Sequence, residues 1–217
     1  MFSVIFPGQG SQSVGMTKEL YDNLPYIKDL FKQADDILGY SISKIILEGP
    51  KEELDLTEIT QPAIFLASYS IFEMIKNESN IDLGNAKYFA GHSLGEYSAL
   101  ATSGSLDFKN AIKLLNERGK AMQTAVPKGT GGMVAVLGTD IKEINNLLEE
   151  NQNNYKCYIA NDNSNGQTVL SGLNSDIDKF IETLKIKKIK NIKLPVSAPF
   201  HCKLMDKATS IMSDKIN

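Results

Sequence analysis

Gly91-His92-Ser93-Leu94-Gly95 sets a serine between two glycines, after the strand-like run Tyr88-Phe89-Ala90 and before a helix rich in small residues, Ser98, Ala99 and Ala101. Gly-x-Ser-x-Gly between a strand and a helix is a nucleophile elbow. The sharp turn exposes the hydroxyl, the glycines let strand and helix approach without Cβ clashes, and the helix N-terminus favours negative charge developing beside it. The competing expectation is a glycine-bounded turn with an idle serine. A serine hydroxyl reacts at neutral pH only with a base within hydrogen-bond reach, and the chain holds two histidines. His92 adjoins Ser93, and neighbours leaving a strand point to opposite faces, so its expected part is to orient the elbow. By elimination the base is His201, in Ala198-Pro199-Phe200-His201-Cys202. Cys202 is a rival nucleophile by type, but it cannot easily face the histidine beside it and reads as a small buried residue.

Acyl transfer also needs donors for a tetrahedral oxyanion. The backbone N–H after the nucleophile, that of Leu94, is one standard donor. The other must come from a loop at the carboxyl end of a neighbouring strand. Phe6-Pro7-Gly8-Gln9-Gly10-Ser11-Gln12 is such a loop, and its glycines let the N–H of Gln9 approach closely. Losing one such donor costs about 2.7–4 kcal/mol in the transition state. The loop lacks the Gly-Lys-Ser/Thr ending that would cradle a nucleotide. Arg118 lies at the edge of the apolar helix stripe Phe108, Ala111, Ile112, Leu115, Gly119 and Met122. There it either snorkels to solvent, joins a structural ion pair, or holds an anion in a cleft. Lys185, Lys187, Lys188, Lys190 and Lys193 read as a guarded sheet edge, with a docking surface for an acidic partner as the alternative.

The elements that must position these residues follow from pattern. Residues 3–6 read as a buried strand, 18–38 as a helical region broken at Pro25, and 63–75 as a helix apolar on nearly every side. Thr60 is a plausible N-cap for that helix, with Pro62 in its first turn. Residues 87–90 then read as a strand, 96–103 and 107–126 as helices. This alternation predicts an α/β fold with a mostly parallel sheet. After the boundary Pro127-Lys128-Gly129-Thr130-Gly131-Gly132 the pattern becomes β-α-β-β-α-β, with strands at 133–137, 155–160, 168–171 and 189–194, helices at 141–150 and 176–184, and a turn at 161–166. That order is the ferredoxin-like unit. The expected organisation is 1–127 as a large α/β domain, 128–196 as an inserted ferredoxin-like α+β small domain, and 197–217 as the return to the large one, closing on a polar helix at 206–217.

Of 217 residues 42% are apolar, enough for an ordinary core, and the net charge of −3 argues against a nucleic-acid partner. No apolar run is long enough to cross a membrane. The chain enters its first strand at once, leaving no room for a leader. Cys157 and Cys202 make neither a disulfide framework nor a metal cluster, which fits a reducing compartment. These features together predict a cytoplasmic protein.

The loop 6–12, Thr60-Gln61-Pro62-Ala63, Gly91-His92-Ser93-Leu94-Gly95-Glu96-Tyr97, Arg118-Gly119-Lys120-Ala121-Met122-Gln123 and Ala198-Pro199-Phe200-His201 occur in this order. In residues and spacing the set resembles the malonyl-CoA:acyl carrier protein transacylases along essentially the whole chain. The resemblance implies that Ser93 is acylated with His201 as its base, and that Gln9 and Leu94 supply the oxyanion hole. It implies that Arg118 grips the malonyl carboxylate, with Gln61, Met122 and Phe200 around the substrate and Phe200 crowding branched acyl groups. Malonyl-CoA and acyl carrier protein are the implied partners in fatty acid biosynthesis. No cofactor is implied, coenzyme A and phosphopantetheine entering as parts of the substrates. The family's large domain continues by roughly a further third, so the resemblance also implies a truncated chain lacking the carbonyl that orients the histidine. A serine hydrolase or thioesterase, or a catalytically incompetent carrier-binding fragment, are the alternative expectations.

Overall fold

The structure is a computed structural model that describes every residue except Lys128, Ser197 and Asn217. The boundary residue Lys128, the first residue of the expected return segment, Ser197, and the last residue of the polar helix, Asn217, thus lie outside the described residues. The chain divides into two compact units, Met1–Lys120 and Ala121–Asn217.

In the first unit, β1 (Ser3–Phe6) and β2 (Tyr88–Gly91) pair in parallel, with Phe6 opposite Gly91. Between them run α1 (Lys18–Asn23), α2 (Pro25–Leu38), α3 (Ile42–Glu48), α4 (Lys51–Leu54) and α5 (Thr57–Glu78). After β2 come α6 (Gly95–Thr102) and α7 (Phe108–Thr124). The break at Pro25 falls where expected: Leu24 takes the extended conformation a residue before proline needs, and Pro25 opens α2. The short helices α3 and α4 give too little periodicity to be read in advance, although Ile42, Ile45, Ile46 and Leu54 are buried.

Helix α5 is the axis of the unit, and Thr60 is not its N-cap. The helix starts three residues earlier, and the buried Thr60 hydroxyl donates to the Leu54 carbonyl at 2.6 Å. Ala63, Ile64, Phe65 and Leu66 are all buried, as a helix apolar on most sides requires. Of β1 only Phe6 is fully buried; it packs with Phe72, Leu83 and Ala99, while Ile5 on the opposite face is 76% exposed. The strand is where sequence places it, but one face of this two-stranded sheet is open.

The second unit carries β3 (Gly131–Leu137), α8 (Ile141–Glu150), β4 (Cys157–Ser164), β5 (Gln167–Leu173), α9 (Asn174–Ile186), β6 (Lys190–Lys193) and α10 (Asp206–Ile216). The sheet is antiparallel with order β4-β5-β3-β6, the ferredoxin-like arrangement of β-α-β-β-α-β. The turn expected over 161–166 shrinks to Asn165-Gly166. Cross-strand pairing draws Asn161 and Asp162 into β4 despite their polarity, and Asn-Gly supplies the tight hairpin. Strand β6 is an edge; Lys193 pairs with Asp178 at 2.6 Å and Lys185 with Glu182 at 2.7 Å. A solvated, lysine-guarded edge accounts for the basic run.

Candidate active site

Ser93 sits on the turn between β2 and α6 in the left-handed region, φ 54°. Non-glycine residues avoid that region, at a cost of about 1–2 kcal/mol, so the turn must be held by its surroundings. Those surroundings are tight: a Cβ on Gly91 would lie 1.9 Å from the Gly95 carbonyl carbon, and one on Gly95 would lie 2.7 Å from the Phe6 oxygen. The His92 N–H donates to Phe6 O at 3.0 Å, and a Cβ on Gly8 would lie 2.5 Å from His92 Nδ1. His92 thus packs against the 7–12 loop, in keeping with an orienting part.

Arg118 resolves the alternatives left open by its helix position. Its guanidinium donates to Gln61 Oε1 at 2.7 Å and to Ser93 Oγ at 3.0 Å. Its carbon lies 6.0 Å from the centroid of the Tyr97 ring. Burial pushes its pKa below the usual arginine value, offset by Tyr97 and Glu96, and an arginine remains charged in such a place. The cation therefore faces the candidate nucleophile and does not snorkel.

The device that brings α7 to α5 begins with a proline. Pro62 has no N–H to give the Glu58 carbonyl one turn earlier. That carbonyl accepts instead from Asn116 Nδ2 at 3.0 Å, and the same amide donates to the Tyr40 hydroxyl at 3.0 Å. Three residues along α7, a Cβ on Gly119 would lie 2.5 Å from Glu58 Cα and 2.6 Å from Thr57 O. Close backbone approach here sets Arg118 beside Gln61. Gly119→Ala, which would ordinarily strengthen a helix, is expected instead to destabilise by about 3 kcal/mol, since the atoms it meets are all backbone. A lower midpoint in urea unfolding is the check.

Leu94 is buried at the start of α6, and Gln9 lies on the loop leaving β1, so both expected oxyanion donors follow the carboxyl ends of adjacent parallel strands. Gln12 clamps that loop, a part sequence reasoning missed. Its Oε1 accepts from the Gly10 N–H at 2.8 Å and its Nε2 donates to Asp55 Oδ1 at 2.9 Å. Lys51 and then Gln12 hold the Asp55 carboxyl below its usual range. A depressed carboxylate keeps its contribution above its unfolded pKa and loses it only as pH falls through the folded one, so the clamp persists at neutral pH.

In the second unit, His201 is also in the left-handed region, φ 57°. Its loop is pinned on both sides: the buried Ser171 hydroxyl on β5 donates to the Phe200 carbonyl at 2.5 Å, and Cys202 Sγ donates to the Pro199 carbonyl at 3.0 Å. Burial pushes the Cys202 thiol up, which keeps it protonated and unsuited to attack; it is half-buried. Phe200 and Met122 are buried in one cluster with Ala198 and Met205. Ser93, Gln61, Arg118, Leu94 and Gln9 thus belong to the first unit, and Met122, Phe200 and His201 to the second. Ser171 carried no signal in sequence, since a serine alternating into a sheet is unremarkable until its acceptor is known.

A strained serine at a strand–helix turn with a cation on its hydroxyl is suited to acyl transfer, and the chain belongs to the acyl transferase domain family, which matches residues 3–217. It is 43% identical to the malonyl CoA-acyl carrier protein transacylase of Haemophilus influenzae over 208 residues, 95% of this chain and 66% of that protein. The crystal structure of the Clostridium perfringens malonyl CoA-acyl carrier protein transacylase superposes with a TM-score of 0.91 at 39% identity, covering 100% of this chain and 67% of that one. A malonyl-transacylase solved in complex with its type II PKS acyl-carrier protein gives 0.92 at 39% identity, covering 98% and 68%. The chain spans about two thirds of the length of these relatives.

Proposed function

We propose that this chain carries the chemistry of malonyl transfer from malonyl-CoA to the phosphopantetheine thiol of acyl carrier protein, a step of fatty acid biosynthesis. The observation that carries the proposal is the Arg118 guanidinium, 3.0 Å from the hydroxyl of a serine held in the left-handed region. Ser93 Oγ attacks the malonyl thioester carbonyl while His201 takes its proton. The N–H groups of Gln9 and Leu94 receive the oxyanion, and coenzyme A leaves as the thiol with that proton. The carrier thiol then attacks the malonyl-serine ester; His201 takes the thiol proton and returns it to Ser93 Oγ as the acyl C–Oγ bond breaks, leaving the malonyl thioester on the carrier.

Arg118 forms two parallel bonds to the free malonyl carboxylate, the fit of a planar guanidinium to a carboxylate. The carboxylate and Ser93 Oγ compete for the same donors, so arrival of the substrate frees the hydroxyl to react. Gln61 fixes the far side of the guanidinium, and the family resemblance gives Met122 and Phe200 to the acyl pocket. The reading takes 1–127 as the large domain, 128–196 as its small insertion and 197–217 as the return that bears His201. It needs no cofactor of its own and places the protein in the cytoplasm.

Incubation with malonyl-CoA followed by intact-mass analysis is expected to show a malonyl adduct on Ser93 that moves to a carrier thiol. Steady release of free malonate without a carrier would point to a hydrolase, and carrier binding with no adduct to an incompetent fragment. Arg118→Leu is expected to cut malonyl-adduct formation relative to acetyl by about 10- to 100-fold, since charge-assisted bonds contribute about 1.5–3 kcal/mol. An unchanged malonyl-to-acetyl ratio would remove Arg118 from substrate recognition.

A further inference from the structure

Arg118 is the single arginine of the chain, and its partners are all neutral. They are an amide oxygen, a hydroxyl and a ring: Gln61, Ser93 and Tyr97. Among the described residues no carboxylate forms an ion pair with it, whereas Lys18, Lys51 and Lys76 of the same unit each pair with an acid. Glu96, exposed on the first turn of α6, favours the charge through its coulombic field but forms no ion pair with it. A half-buried cation without a counter-ion is costly to hold, and two neutral acceptors occupy only two of its five N–H donors. Besides the coulombic pull of Glu96, the ring is the remaining stabilising element.

The class of side chain at position 97 matters here. An acid would pair with Arg118 and exclude an incoming carboxylate. An aliphatic side chain would leave burial unopposed. An aromatic face attracts the cation through its quadrupole and leaves the charge intact. Tyr97 lies four residues after Ser93 on the first turns of α6, half-buried, which aims its ring at the guanidinium that also touches the serine.

We infer that Tyr97 is a positioning residue for Arg118: its ring face holds the guanidinium in place and charged without neutralising it, so that the cation stays available to the carboxylate of an acyl substrate. The inference rests on the malonyl reading above and adds a determinant of selectivity to it. The phenol hydroxyl is not required; the ring face is.

The lone arginine makes the test direct, because any phenylglyoxal adduct on a guanidinium reports Arg118. Labelling is followed by mass in the Ser93→Ala background, where no acyl-enzyme forms, with malonyl-CoA titrated as protectant and acetyl-CoA as control. Tyr97→Phe is expected to keep the malonyl-CoA midpoint within about twofold. Mono-, di- and trifluorophenylalanine at position 97 hold the shape nearly constant while draining the ring face. Across that series the midpoint is expected to climb stepwise to about tenfold, with the acetyl-CoA control unmoved. A flat series with Tyr97-containing protein still protected overturns the part given to Tyr97. Absence of protection by malonyl-CoA even with Tyr97 in place overturns the carboxylate reading of Arg118, and the inference with it.

Discussion

Ser93→Ala is expected to remove the malonyl adduct completely and to lower transfer by at least about 10⁴-fold. Alanine keeps the Cβ and with it the left-handed strain, so the fold should persist with its stability little changed. What disappears is the hydroxyl oxygen that accepts from Arg118 and, in the proposed reaction, bonds the acyl group. Cys202, the rival nucleophile by type, is not equipped to replace it. The half-buried Cys202 thiol is held protonated by burial and committed to the Pro199 carbonyl. Residual transfer within tenfold of the unsubstituted chain, or an adduct mapped to another residue, would end the assignment of Ser93 as nucleophile. Thermal unfolding of the same variant separates loss of chemistry from loss of fold.

Gly91→Ala is expected to have the largest effect on stability. The added methyl would run into the Gly95–Glu96 peptide: Gly95 C at 1.9 Å, Gly95 O at 2.0 Å and Glu96 N at 2.4 Å. A flexible side chain could turn aside, but these atoms belong to the first turn of α6 and can yield only if the helix moves off the strand. Overpacking of rearrangeable side chains already costs about 1–3 kcal/mol, so a clash with fixed backbone should cost about 3 kcal/mol or more, against total stabilities of about 5–15 kcal/mol. A displaced α6 would also carry Ser93 and Leu94 out of register with the loop after β1. The expected result is a loss of soluble folded protein or a strongly lowered urea midpoint, with adduct formation lost in the remainder. A folded Gly91→Ala variant with ordinary stability and full acylation would mean that the elbow is not built on this contact.

The elbow was legible in the sequence because its chemistry is local. Glycines two residues either side of Ser93 already state that strand and helix cross closely, and the structure puts left-handed strain where that crossing demands it. The β-α-β-β-α-β order was legible for the same reason, since alternation and helix periodicity are properties of short windows. Two expectations failed where a window was the wrong unit. Thr60 has the type of an N-cap but lies inside α5, because the helix is extended backward by packing of Thr57 and Ile59 that no cap rule contains. Asn161 and Asp162 have the type of turn residues, yet β5 supplies their partners and makes them strand.

The amino-acid sequence alone determined which side chains could do chemistry here and in what order, because residue type and close spacing carry that information directly. It left Arg118 between solvent and site, since a helical stripe gives an angle about an axis and not what stands opposite. Tertiary structure decided the matter through contacts spanning tens of residues: Asn116 filling the acceptor that Pro62 leaves open, Gly119 seated on Glu58, and Gln12 reaching Asp55. Each such contact joins groups whose separate environments are unremarkable, and only the folded chain brings donor to acceptor.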